Sequence, residues 1–128
     1  RAEMESYIKN NNLTDKFILL GAKSNPYPYY KACDLYVQTS RHEGFGLSIA
    51  EARILNKPVV TTEFDAVWVQ MVQGKNGIVV PIDATAVADA IQDLIEHPKK
   101  REAISAYQRT EKKGNLEELQ KIYDLIEK

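Results

Sequence analysis

The chain has 128 residues, 17 basic against 18 acidic side chains, 44% hydrophobic and 27% charged, with one cysteine. A chain of this size buries roughly two thirds of its unfolded surface, so it forms one globular domain without disulfides or a structural metal. Its interleaved, near-neutral charge excludes a basic nucleic-acid face and a polybasic membrane anchor, and no apolar run approaches the ~20 residues that span a bilayer. Cys33 has no partner cysteine, which fits a reducing compartment, and the cytoplasm is the expected location. The polar start is not a signal peptide, and Arg1 at its head suggests a chain that begins within a longer protein.

Ala2, Met4, Tyr7 and Ile8 recur at near-helical spacing until Asn10-Asn11-Asn12 stops them. Phe17 to Leu20 is a short apolar run closed by Gly21, and is expected to be a buried strand. Asn25-Pro26-Tyr27-Pro28 opens a brief helix through Ala32, and Leu35 to Val37 is a second strand. After a polar loop, Leu47 to Leu55 reads as a helix stopped by Asn56 and Pro58, and Pro58 to Thr62 follows as a third strand. Trp68, Met71 and Val72 lie at helical spacing, and Ile78 to Val80 is a fourth strand. Asp83 caps a helix over 84–97, marked by the stripe Val87, Ala90, Ile91, Leu94 and Ile95. A last stripe runs from Leu116 to Ile126 as an amphipathic helix, so residues 1–110 form the domain and 111–128 a separate terminal element. Short strands apolar on both sides, alternating with helices, predict an α/β domain: a Rossmann-like three-layer fold with a parallel sheet of about four strands.

Such sheets bind ligands beyond the carboxyl ends of their strands. The loop there reads Ser40-Arg41-His42-Glu43-Gly44-Phe45-Gly46 and runs straight into the helix at Leu47. Gly44 and Gly46 let a ligand approach the backbone, and the amides of Leu47, Ser48 and Ile49 with the helix dipole suit a phosphate. Glu43 and Glu51 flank that anion site. Each carboxylate repels phosphate but accepts two hydrogen bonds from a diol, so a phosphate held between two polyols, as in a sugar nucleotide, satisfies all of these groups.

The stretch from Glu43 to Glu51, continued by Ala52-Arg53-Ile54-Leu55-Asn56-Lys57-Pro58-Val59-Val60, resembles the E-x7-E donor-site motif of retaining glycosyltransferases with the GT-B fold, the glycosyl transferases group 1. Phe17 to Gly21, Tyr30 to Asp34, Thr39-Ser40 and Gly74 to Pro81 stand in family order, so the resemblance covers about residues 1–107, in the carboxyl-terminal, donor-binding half of that fold. It implies that Glu43 binds donor-sugar hydroxyls as the catalytic position. Gly44, Gly46 and the amides of Phe45, Leu47 and Ser48 hold sugar and diphosphate, and Glu51 holds the ribose diol. The implied reaction moves a sugar from a UDP- or GDP-sugar to a glycan or lipid-linked acceptor with retention, without metal or other cofactor. It belongs to polysaccharide biosynthesis, with the parent enzyme peripheral at the inner membrane face.

Asn56 stands where the family has a glycine, and Ala66-Val67 and Gln70 stand where it has a glycine pair and a glutamate. The family's glycine-rich turn, its basic pair for the diphosphate and its acceptor domain do not occur in this sequence, so these residues are expected to be inactive in transfer on their own. Two other readings compete. One is a noncatalytic nucleotide-sugar-binding or interaction module. The other is a serine hydrolase in which Gly46 to Ala50 forms a relaxed nucleophile elbow at Ser48, followed by Asp83 and His97 in hydrolase order; the long polar loop before Ser48 argues against it. Tyr27, Tyr29 and Tyr30 suit packing better than base stacking, and Arg41 lies beside the phosphate site. His42, His97 and Cys33 lack metal-ligand spacing, so no metal site is expected. The last apolar stripe is expected to pack elsewhere, to pair chains into a homo-oligomer, or to loosen.

Overall fold

The structure, a computed structural model, describes residues 1–44 and 46–111. Phe45 and the stripe from Leu116 to Ile126, with the oligomer expected through it, lie outside the described residues. Helices α1 (Ala2–Asn10), α2 (Tyr27–Ala32), α3 (Leu47–Ile54) and α4 (Ala84–Glu96) alternate with strands β1 (Tyr36–Gln38), β2 (Val59–Thr62) and β3 (Gly77–Val80). The strands pair in parallel in the order β1-β2-β3, with Tyr36 opposite Val59 and Val59 opposite Gly77.

Alternation along each strand builds a core on both faces. Val59 and Val79 pack with Ile49 and Ala52 of α3 and with Phe64, Val67 and Met71. Val60 packs on the opposite face with Leu94 of α4 and Ile104, beside Val37 and Ile78. Val59 and Val60 are both fully buried, and each such side chain contributes ~1.5–3 kcal/mol. The result is the expected three-layer, Rossmann-like α/β architecture.

Several elements differ from the sequence expectation. Among the described residues Phe17 to Leu20 form no strand, so the sheet has three strands, not four. A strand exists only where a neighbour completes its ladder. None does so here, and Phe17, Ile18 and Leu20 are 50%, 70% and 49% exposed. The Trp68–Val72 spacing yields only a single 3-10 turn, Val67–Val69, with Trp68 and Val69 turned outward. Asp83 caps α4 as expected, its Oδ2 accepting from the amide of Ala86 at 2.9 Å. A further helical stretch covers residues 98–111, opened by Pro98, where the missing N–H is harmless. It lies across the amino ends of the strands: Ser105 donates to the Asn56 carbonyl and Gln108 to those of Lys57 and Asn76. Asn56 takes the left-handed conformation, φ 60°, in the glycine's place.

Candidate functional site

The site forms where β1 ends and α3 begins. Tyr36 and Gln38 share the α3 face of the sheet because side chains two apart on a strand point the same way. The Tyr36 hydroxyl donates to Gln38 Oε1 at 2.5 Å. Gln38 Nε2 in turn donates to Glu43 Oε1 at 2.8 Å, and the Ser40 hydroxyl donates to the same oxygen at 2.8 Å. Thr62 of β2 pins the loop by donating to the Ser40 carbonyl. One oxygen of Glu43 is thus held by two donors, while Oε2 has no hydrogen bond among the described residues. A carboxylate oriented through one oxygen can offer the other to a ligand hydroxyl.

Gly46 starts α3 in the left-handed conformation, φ 81°, and no side chain caps the first turn. The amides of Leu47 and Ser48 are therefore left without a side-chain acceptor at the positive end of the helix dipole. Gly44 is exposed, and Ser48 is half-buried. Glu51 sits one turn further along and is only 9% exposed. Its carboxylate accepts no hydrogen bond among the described residues, and burial pushes it above the ordinary carboxylate range.

Tyr36 joins these groups. Its phenol is pushed up from 10.0 to about 12, chiefly by burial; the Ser48 hydroxyl opposes this, and Tyr30, Glu43 and Glu51 add to it. Glu43, Ser48 and Glu51 all influence the proton of one phenol, a residue that sequence reasoning passed over as strand. Because the folded chain holds this proton more tightly than the unfolded one, its contribution is intact below pH 10 and declines as pH rises toward 12. Tyr36→Phe is expected to flatten that alkaline loss in pH-dependent melts and to cost about 1 kcal/mol at neutral pH through the lost bond to Gln38. A variant whose alkaline melting curve matches the wild type overturns this assignment.

Asp83 is the α4 cap, and His97 lies at the other end of that helix beside Asp93, at 3.1 Å. Thirteen helical residues put about 20 Å between them, so Ser48, Asp83 and His97 form no triad. Tyr27 meets Tyr30 edge-on at 6.2 Å and Tyr30 meets Tyr36 at 5.5 Å, which is packing. Arg41 is exposed and lines a hollow of about 380 Å³ with Thr39, Thr62, Ile82 and Asp83. The Cys33 thiol donates to the Tyr30 carbonyl. Among the described residues no three His, Cys, Asp or Glu side chains gather as a metal-binding group, and no helix is long and apolar enough to cross a membrane.

Residues 1–111 match the family model described as glycosyl transferases group 1. The lipopolysaccharide core biosynthesis mannosyltransferase LpsB of Rhizobium meliloti is 30% identical over 109 residues, covering 82% of this chain and 31% of that protein. The capsular polysaccharide biosynthesis glycosyltransferase CapM of Staphylococcus aureus is 32% identical over 114 residues, 84% of this chain and 30% of its own. In three dimensions the chain is similar to Anabaena HepE crystallised with UDP, with a TM-score of 0.83 and 25% identity over 98% of this chain and 36% of that one. It is also similar to the C-terminal domain of a group 1 glycosyl transferase, LpcC, from Francisella tularensis, with a TM-score of 0.72 and 33% identity over 84% of this chain and 57% of that one. The chain spans about a third of the length of these curated relatives.

Proposed function

The chain belongs to the glycosyl transferases group 1 family, and from that premise we propose that it is the donor-binding part of an enzyme that moves a sugar from a UDP- or GDP-sugar to a glycan or lipid-linked acceptor with retention. The observation that carries this reading is the pairing of Glu43 and Glu51 on either side of the uncapped start of α3. The diphosphate sits on the amides of Leu47 and Ser48, Glu51 takes the ribose diol, and the free oxygen of Glu43 takes sugar hydroxyls. In transfer, the bond from the anomeric carbon to the phosphate oxygen breaks as the bond to the acceptor oxygen forms. The acceptor's proton leaves with the nucleoside diphosphate, whose developing charge the α3 amides stabilise. The 128 residues by themselves bind donor without turnover.

Saturation-transfer NMR of the chain against UDP, GDP, UDP-glucose and GDP-mannose tests this. The expected result is saturation on the ribose protons of one nucleotide series, reduced in Glu51→Ala, which names the base. Equal signals from wild type and Glu51→Ala, or none from any nucleotide, count against the reading, and multiple turnover by the isolated chain refutes the statement on activity.

A further inference from the structure

We propose that Gln70 is a positioning residue that fixes the start of α3 through a buried chain of four groups, Glu111, Arg53, Gln70 and the Gly46 carbonyl. Gln70 is 8% exposed and far from Gly46 in sequence, yet its Nε2 donates to the Gly46 carbonyl at 3.0 Å. Its Oε1 accepts from Arg53 Nη1 at 3.0 Å. Arg53 Nη2 reaches Glu111 Oε1 at 3.3 Å, and the fully buried Asn76 donates to the Gln70 carbonyl at 2.8 Å.

The chemistry at each end sets what the side chain between them must do. A guanidinium only donates and a carbonyl only accepts, so the residue between them must accept on one side and donate on the other. A primary amide does both, whereas an ionised glutamate, the residue the resembled family carries here, satisfies Arg53 but repels the Gly46 carbonyl. That carbonyl also accepts from the amide of Ala50 at 3.1 Å, the bond that begins α3. There is no slack around it, because a Cβ on Gly46 would come within 2.9 Å of Gln70 Nε2 and 3.2 Å of Phe64. Gln70 therefore sets the angle at which the amides of Leu47 and Ser48 face a diphosphate, and it reports the placement of the 98–111 helix to them through Glu111. The link to the diphosphate rests on the donor-site reading above; the link to the start of α3 does not.

The test compares the full 128-residue chain with Gln70→Glu by amide hydrogen exchange and by titration with UDP and GDP. The expected result is about tenfold faster exchange at Ala50, with Val60 and Val79 within about twofold of wild type, and about tenfold weaker binding of whichever nucleotide the wild type takes. Glu111→Gln lies at the outer, partly exposed end of the chain of groups and keeps the test intact where Gln70→Glu does not fold; it shifts Ala50 and nucleotide affinity the same way by about threefold. Unchanged exchange at Ala50 overturns the proposal, as does a uniform rise at Ala50, Val60 and Val79, which marks a general loss of stability. A nucleotide bound equally well by wild type and variant overturns the link to the ligand. A wild type that binds neither nucleotide overturns the donor-site reading, and the exchange comparison then still decides the positioning of α3.

Discussion

Gly77→Ala is expected to destabilise the chain by about 2–4 kcal/mol, the largest effect expected of a methyl added at any of the described glycines. Gly77 opens β3 opposite Val59, and an added Cβ there falls on the Val59 carbonyl oxygen and 2.7 Å from Met71 Cε. A methionine side chain can swing away, but the carbonyl belongs to the β2 backbone and cannot move without breaking the ladder. The strand must peel from its neighbour at the end where Gly77 also accepts the Gly74 amide at 2.9 Å. Gly44 provides the contrast: nothing lies within 4 Å of its added Cβ, so Gly44→Ala stays within about 0.5 kcal/mol of wild type. Urea unfolding with an unchanged slope measures both. Equal midpoints for the two variants refute the steric account.

Gly77 also shows how far the sequence could be read. It marked the border of a strand, and β1, β2, β3 and α4 were all legible from short apolar runs bounded by turn residues and, in α4, from an apolar stripe behind the Asp83 cap. The helical stretch at 98–111 was not. One of its two most buried positions is Gln108, 1% exposed, held by carbonyls from Lys57 and Asn76 that are distant in sequence. A hydrophobic pattern is blind to an amide buried by hydrogen bonds. The error at Phe17 to Leu20 has the opposite cause, since composition marks a candidate strand but pairing makes one. At the site, the glutamates and glycines carried a local signal. The groups that orient them, Tyr36 and Gln38 on one side and Arg53 and Gln70 on the other, carried none, because their partnerships exist only once the strands lie side by side. Position 70 could be noticed as a departure from the family pattern, but its bond to Gly46 could not.

Glu51 is where folding and the proposed function pull apart. Of the two buried charges among the described residues, Arg53 has Gln70 and Glu111, whereas Glu51 has no hydrogen-bond partner. Partial desolvation of a carboxylate without protein donors disfavours its charged form, and its upward pKa shift, caused by burial, expresses the same fact. The folded chain holds the Glu51 proton more tightly than the unfolded chain does. Its favourable contribution is therefore full below the ordinary value of 4.5 and is lost as pH rises through the raised one. Glu51→Gln has no such charge, so at pH 7 it is expected to melt above wild type, and the gap should close as pH falls below about 4.5. The same variant is expected to bind UDP or GDP about ten- to a hundredfold more weakly, because an amide offers a ribose diol one neutral acceptor in place of two charged ones. Melts at both pH values and a nucleotide titration give both readouts. A variant that is less stable at pH 7 assigns Glu51 to the scaffold. A variant that is more stable and binds less supports a carboxylate kept at a cost to the fold because a ligand, rather than the protein, completes its hydrogen bonds.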